Sequence, residues 1–252
     1  MTDDMKRLLP LAAALLLAAG CQLKTATYTD EQTMPLEEGR TDSLFLSVSL
    51  EYPVKGADEE ALVKMTSGIL NTAFDMEDID PASVEETALR YEENLKDEYF
   101  NENGEPAAKE KAEVLSWEDR VNGYFSGYHK RYATYMVEYY GFRGGAHGIS
   151  TMTPVVFDTR TGEIVHEEDL FEEGYFAPVS ALIQSRLPDA LDNNEENLSA
   201  LFEPDLVGPN GNFEVGADGV TWYYQPYDIA PFYLGVISVT VPWSALKPWL
   251  RK

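Results

Sequence analysis

Residues 113–142 read EVLSWEDRVNGYFSGYHKRYATYMVEYYGF, and this stretch decides the fold class. Both halves are dense in Tyr, Phe, Trp and Val, the side chains that pack best on a pleated surface. His129-Lys130-Arg131 separates them without an apolar residue. The pattern predicts a long hairpin, with one arm over 113–128 and a return arm over 132–142.

On its N-terminal side, Leu44, Leu46, Val48, Leu50 and Tyr52 alternate with Phe45, Ser47, Ser49 and Glu51, which predicts a half-buried strand ending at Pro53. Asp58-Glu59-Glu60 then opens a helix with Leu62, Met65, Ile69 and Ala73 on one face. Asp80-Pro81 offers an N-cap and a first-turn proline for a second helix. Its apolar face of Val84, Ala88, Tyr91, Leu95 and Tyr99 carries it to about residue 103. On the C-terminal side, Phe157-Asp158-Thr159-Arg160-Thr161-Gly162-Glu163-Ile164 signals a tight hairpin. Val179, Leu182, Ile183 and Leu187 suggest a third helix closed by Pro188, and residues 213–224 and 234–241 read as two closing strands. Strands and helices come in mixed order, so the expectation is α+β: antiparallel sheet with an aromatic-rich long hairpin packed against three or so helices.

The charge is the second constraint. Forty-four acidic against 19 basic side chains give a formal −25. Nucleic acid is thereby excluded as a partner, because phosphate binding needs clustered Lys and Arg. The same balance opposes an electrostatic hold on an anionic membrane. A 44% apolar fraction with 12% aromatics is nevertheless too rich for a disordered chain. The acid is concentrated between residues 75 and 105, on and around the second helix.

The N-terminus reads as an address. Lys6 and Arg7 precede an apolar run over residues 8–20. As a helix this run spans about 20 Å, short of the ~30 Å hydrocarbon core, so it is expected to be a signal h-region. Met5 is an alternative start, since Asp3 and Asp4 are unusual in such a segment. The run ends Leu17-Ala18-Ala19-Gly20-Cys21, which resembles a bacterial lipoprotein signal, although Ala18 stands where a larger aliphatic is preferred. Cys21 is the only cysteine, so it is the expected lipid attachment site and no internal disulfide forms. Gln22 after it resembles lipoproteins sent on to an outer membrane. Residues 22–41 lack periodicity and are expected to be a tether.

Two segments are candidates for binding or chemistry. Gly144-Gly145-Ala146-His147-Gly148 sets three glycines around one histidine. That pattern suits an anion nest, a catalytic His on a tight loop, or a purely structural turn. Gln225-Pro226-Tyr227-Asp228-Ile229-Ala230-Pro231 is stiffened by two prolines, and Tyr227 and Asp228 are candidates to line a site. Asp75, Glu77, Asp78 and Asp80 are acidic but lack the Ca²⁺-loop pattern and read as a solvated face. No G-x-S-x-G, H-E-x-x-H, Walker or G-x-G-x-x-G motif is present, and His129, His147 and His166 lie in three separate segments. No catalytic residue, metal site or cofactor is therefore expected.

These segments carry a family resemblance. An aromatic strand leads into Gly144-Gly145-Ala146-His147-Gly148, followed by the Phe157-Asp158 hairpin with Thr161-Gly162 and by Asp169-Leu170-Phe171. A strand over 213–224, the Pro226-Tyr227-Asp228-Ile229-Ala230-Pro231 stretch and Gly235 complete the series. Residues 139–250 thus resemble the extracytoplasmic domain of unknown function shared by RsiV-like anti-sigma factors and the peptidoglycan deacetylase PdaC. That family most often has Glu where this chain has Asp228. Residues 44–132 look like the companion N-terminal domain.

The expected organisation is a signal peptide over 1–20, a tether over 21–41, a PdaC-like subdomain over 42–132 and an RsiV-like domain over 133–252. The resemblance implies an α+β module outside the cytoplasm, without the deacetylase domain or the sigma-binding segment. Its implied function is a non-enzymatic binding module of the cell envelope, anchored to the bilayer by lipid. The implied ligand is a basic protein such as a lysozyme, or peptidoglycan. Gly144, Gly145, His147, Tyr227 and Asp228 are the candidate binding residues. The alternatives are an envelope hydrolase pairing His147 with Asp228 or Asp169, and a purely structural lipoprotein. Replacing Cys21 with Ser is expected to move the protein from the membrane pellet to the soluble fraction; continued pelleting of the variant refutes lipid attachment.

Overall fold

The computed structural model describes residues 23–39, 41–76, 79–104 and 115–251. The signal segment, Cys21, Glu77 and Asp78 lie outside them. The fold is α+β: a five-stranded sheet of order β1-β2-β3-β4-β5, a three-stranded antiparallel sheet of order β6-β7-β8, and helices on both. The first sheet consists of β1 (Lys24–Pro35), β2 (Ser43–Lys55), β3 (Trp117–His129), β4 (Tyr132–Phe142) and β5 (Ile149–Asp158). All its neighbours are antiparallel except β2 and β3. That parallel pair requires a crossover, which α1 (Glu59–Phe74) and α2 (Val84–Asn103) provide. Among the described residues no helix is long and apolar enough to cross a membrane.

The hairpin forms as expected, with its tip at Lys130-Arg131 and His129 opposite Tyr132. Both helices lie against the sheet through apolar stripes. Met65, Ile69, Ala88, Leu95 and Tyr99 are buried against Leu44, Leu46, Val48 and Leu50 from β2. The second core surrounds β6 (Phe213–Val215), β7 (Gly219–Tyr224) and β8 (Ile237–Pro242). It is closed by α3 (Glu167–Leu170), α4 (Phe176–Gln184), α5 (Leu187–Ala190), α6 (Glu195–Ser199) and α7 (Trp243–Leu246). The buried carboxylate of Glu167 organises this half, accepting from the Trp222 indole (2.8 Å), the Gly211 amide (3.0 Å) and the Tyr175 hydroxyl (3.0 Å).

Several sequence expectations are corrected. The segment read as a tether contains β1, whose Ala26, Tyr28, Asp30, Gln32 and Met34 turn inward while its threonines face out. The alternation was hidden because two of the inward residues are polar. The expected boundary at 132/133 falls inside β4, which is hydrogen-bonded to β3 on one side and β5 on the other. The apolar cores divide instead along β5, where Val155 and Phe157 join the first and Val156, on the opposite face, joins the second. Helix α2 is capped by Ser83, because Asp80 spends its carboxylate on the Ala82 amide within its own turn. Pro53 does not end β2; β3 pairs with β2 only through Leu50, so the missing N–H breaks no bond to β3. Pro188 opens α5 rather than closing α4, a position where its lost N–H is harmless. Residues 213–224 form a hairpin of two strands, and the last strand begins at Ile237 after a 3-10 turn over Phe232–Leu234. Gly162 turns the short hairpin with φ of 73°, and a Cβ there would lie 2.3 Å from the Ala61 carbonyl oxygen, which fixes the turn against α1.

Two polar clusters hold the first core together. Asp119 on β3 is fully buried and accepts from Tyr91 (2.6 Å), Tyr139 (3.0 Å) and Arg143 (3.1 Å), whose guanidinium also lies 4.6 Å above the Trp117 ring. It thereby joins α2, β3, β4 and the residue that opens the β4–β5 loop. Glu92 on α2 clasps β1, accepting from Tyr28 (3.0 Å) and Gln32 (3.2 Å). Burial pushes its carboxyl up to about 7, with the hydrogen bond from Tyr28 opposing and nearby Asp30 adding to the rise.

Truncating Asp119 to Ala leaves a guanidinium and two half-buried hydroxyls without their acceptor and is expected to lower stability by about 3 kcal/mol. Urea denaturation reads this, and a loss under about 1 kcal/mol refutes the network's role. For Glu92 the folded pKa lies above the unfolded value near 4.3. Its contribution is therefore present below about pH 4.3 and fades as pH rises through about 7. The variant Glu92→Gln is expected to gain about 1–2 kcal/mol over the parent at pH 8, allowing for solvent screening, and nothing at pH 4. Equal gains at both pH values refute the assignment.

Candidate functional site

The β4–β5 connection is the glycine loop. Arg143, fixed on Asp119, leads into it, and Gly144 and Gly145 follow with φ of 83° and 94°. Both positive, these two do not make the alternating right- and left-handed pair of an anion nest. The loop closes where Gly148 lies against the Tyr140 ring; a Cβ there would approach the Tyr140 hydroxyl to 2.6 Å. His147 is consequently presented outward. It is exposed, with Nδ1 3.0 Å from the Gly148 carbonyl oxygen.

The second segment leaves β7 at Gln225. Its amide clasps the backbone of Met152 on β5, donating from Nε2 to the carbonyl (2.7 Å) and accepting from the N–H (3.1 Å). Asn212 also donates to the Met152 carbonyl (3.2 Å). These side chains occupy an edge that would otherwise invite another strand, and they bring the two loops together. Asp228 folds back to accept from the Gln225 backbone N–H (2.7 Å), and the Tyr227 backbone N–H donates to the Ala230 carbonyl (3.2 Å). Tyr227 has φ of 75°, a left-handed conformation that is an outlier for a bulky side chain. Pro231 then runs extended into the 3-10 turn.

The two candidate segments meet through a residue the sequence reading did not single out. Phe232 stacks on His147 with centroids 3.9 Å apart and planes at 23°, and lies 5.7 Å from the Tyr227 ring. His147, Phe232 and Tyr227 form a row of three rings. Tyr227 is 57% exposed and the neighbouring Tyr233 65%. The signal for Phe232 was the aromatic run from Trp222 to Tyr233, which names no single ring. Gly144 and Gly145 shape the row without joining it, and Asp228 braces the loop. The partners foreseen for a catalytic His147 are committed elsewhere, Asp228 to Gln225 and Asp169 to the His166 amide (2.9 Å). Among the described residues no cluster of His, Cys, Asp and Glu is arranged to hold a metal.

Comparison with known proteins gives a fold without a function. No curated protein matches the chain. Residues 168–244, just under a third of its length, match the family model described as protein of unknown function (DUF3298). This span contains the Tyr227 loop and Phe232 but not the glycine loop. A crystal structure of a DUF3298 family member from Bacteroides fragilis is similar over 91% of this chain and 94% of that one, with a TM-score of 0.79 and 23% identity. A DUF3298 family protein from Pseudomonas aeruginosa is similar over 92% and 97%, with a TM-score of 0.66 and 17% identity. The chain shares the fold of these two DUF3298 proteins along nearly its whole length, and residues 168–244 are similar to the DUF3298 family in sequence as well.

Proposed function

We propose that this protein is a non-enzymatic binding module, held at the cell envelope by lipid on Cys21, whose ligand docks on the row of His147, Phe232 and Tyr227. The observation that carries the reading is Tyr227. An exposed bulky aromatic held at φ of 75° costs the fold free energy, and such strain gathers where a side chain must be presented. Tyrosine is also an effective docking residue, offering large area with few torsions to freeze. The resemblance to RsiV-like proteins favours a basic protein of lysozyme type as ligand. The formal −25 supports it, because opposite net charge steers encounter and raises the on-rate. Such steering fades with salt as the screening length falls to about 8 Å at 0.15 M. His147, stacked and without a carboxylate partner among the described residues, serves here as a ring and not as a base.

Titration of the purified chain with a lysozyme at low and physiological salt, beside an unrelated protein of similar positive charge, tests the reading. Saturable lysozyme binding that survives at 0.15 M, with the control binding lost, is expected. Equal binding of both proteins, or none at low salt, sinks the protein-ligand reading. Replacing Tyr227 with Gly is expected to raise stability by about 0.5–1 kcal/mol, since Gly accepts positive φ, and to weaken lysozyme binding at least about tenfold. Unchanged affinity in that variant removes the ring row from the interface.

A further inference from the structure

At the other end of the long hairpin, roughly 30 Å along β4 from the glycine loop, lies a cleft of about 310 Å³ that the ring row does not touch. It forms where the tip of the β3–β4 hairpin meets the C-terminal segment, and its walls are of two kinds. Lys130, Arg131 and Arg251 supply three cations against one lining carboxylate, Asp169. In a chain of formal charge −25 this is a local inversion of sign. His129, stacked on Trp243 with centroids 4.3 Å apart, and Tyr132 supply aromatic surface. Burial first, and Lys130 second, hold the His129 pKa below its ordinary value, which favours the neutral ring.

The two guanidinium groups are set in place before any ligand arrives. Arg131 is fixed by Asp158 (3.1 Å), by the Tyr132 hydroxyl (2.9 Å) and by lying 5.0 Å above the Tyr132 ring. Arg251 donates through Nε to the Phe171 carbonyl (3.0 Å), and its backbone N–H donates to Leu170 (2.8 Å). Each guanidinium has donors beyond those it spends on the fold, because the group carries five. Trp243 is anchored through its indole N–H on Gly216 (3.0 Å). Rigid charge beside rigid aromatic surface lowers the entropic cost of holding a ligand.

We propose that this cleft is a binding site for an acidic sugar, a single pyranose ring bearing one carboxylate. The guanidinium groups and Lys130 receive the carboxylate as charge-assisted hydrogen bonds. The aromatic wall of Trp243, His129 and Tyr132 receives the apolar face of the ring. Asp169 distinguishes the ligand from a bare anion: its Oδ2 holds the His166 amide, while its other oxygen repels a simple anion but accepts hydrogen bonds from ring hydroxyls. The overall charge distinguishes it from a polyanion, since each further negative charge adds repulsion from the rest of the surface. The site is independent of the proposed docking of a protein at the opposite end.

Calorimetric titration of the intact chain with sodium glucuronate, methyl glucoside and sodium acetate tests it, with indole fluorescence as a second readout for Trp243. Glucuronate is expected to bind at least about tenfold more tightly than either of the other two, a gap of about 1.4 kcal/mol. The variants Lys130→Gln, at an exposed turn, and Arg251→Gln are expected to lose at least about tenfold in affinity. Thermal melting confirms that each is folded, and His147→Ala leaves glucuronate binding unchanged. Acetate binding as well as glucuronate reduces the cleft to a general anion site and overturns the proposal. Methyl glucoside binding equally well, no saturable binding below about 20 mM glucuronate, or unaltered affinity in folded Lys130→Gln overturns it too.

Discussion

A carboxylate buried to complete exclusion from water is tolerable only if its charge is answered and its lone pairs are used. Asp119 meets both conditions, with one guanidinium and two tyrosine hydroxyls closing on it from three elements. The consequences spread outward. Tyr91 fixes the rotation of α2 on the sheet, and Tyr139 fixes β4 beside β3. Arg143 fixes the point at which the chain leaves β4 for the glycine loop. With that exit defined, Gly144 and Gly145 turn the chain and His147 arrives over Phe232. The same guanidinium covers Trp117, so core and loop share one anchor. A second buried carboxylate, Glu167, plays the matching part in the other half, gathering Trp222, Tyr175 and the Gly211 backbone.

How far the sequence disclosed this follows from whether each signal was local. The hairpin was legible because two runs dense in Tyr, Phe, Trp and Val, separated by His129-Lys130-Arg131, need no partner to be recognised. The faces of α1 and α2 were legible from period 3.6 alone, except at Glu92, a polar residue in a buried position. β1 was illegible because its inward face includes Asp30 and Gln32, and Gln32 bonds to Glu92, sixty residues away. The strand β5 was overlooked between two glycine-marked turns. The sheet-to-sheet contact was invisible as well, since it rests on side chains replacing a strand: Gln225 on Met152, and Thr134 exchanging hydrogen bonds with the Val215 backbone.

The candidate site shows the same division. Both loops drew attention through glycine and proline, whose backbone meaning is local. Their meeting at Phe232 did not, because a ring between two loops has no sequence spacing of its own. The cationic cleft was hidden by distance along the chain, with Lys130 and Arg131 on one side and Arg251 on the other. It was hidden further by an acidic average that makes any basic patch look incidental.

The strand β1 has one more consequence. Its first residue is Lys24, three positions after Cys21. Under the proposed lipid attachment, three residues reach at most about 11 Å even when fully extended. The outermost strand of the sheet then rides beside the lipid headgroups, and the module has a leash too short to roam. Its orientation becomes a property of the fold itself: one edge of the sheet is committed to the bilayer, and an anionic surface is held close to whatever charge that bilayer carries.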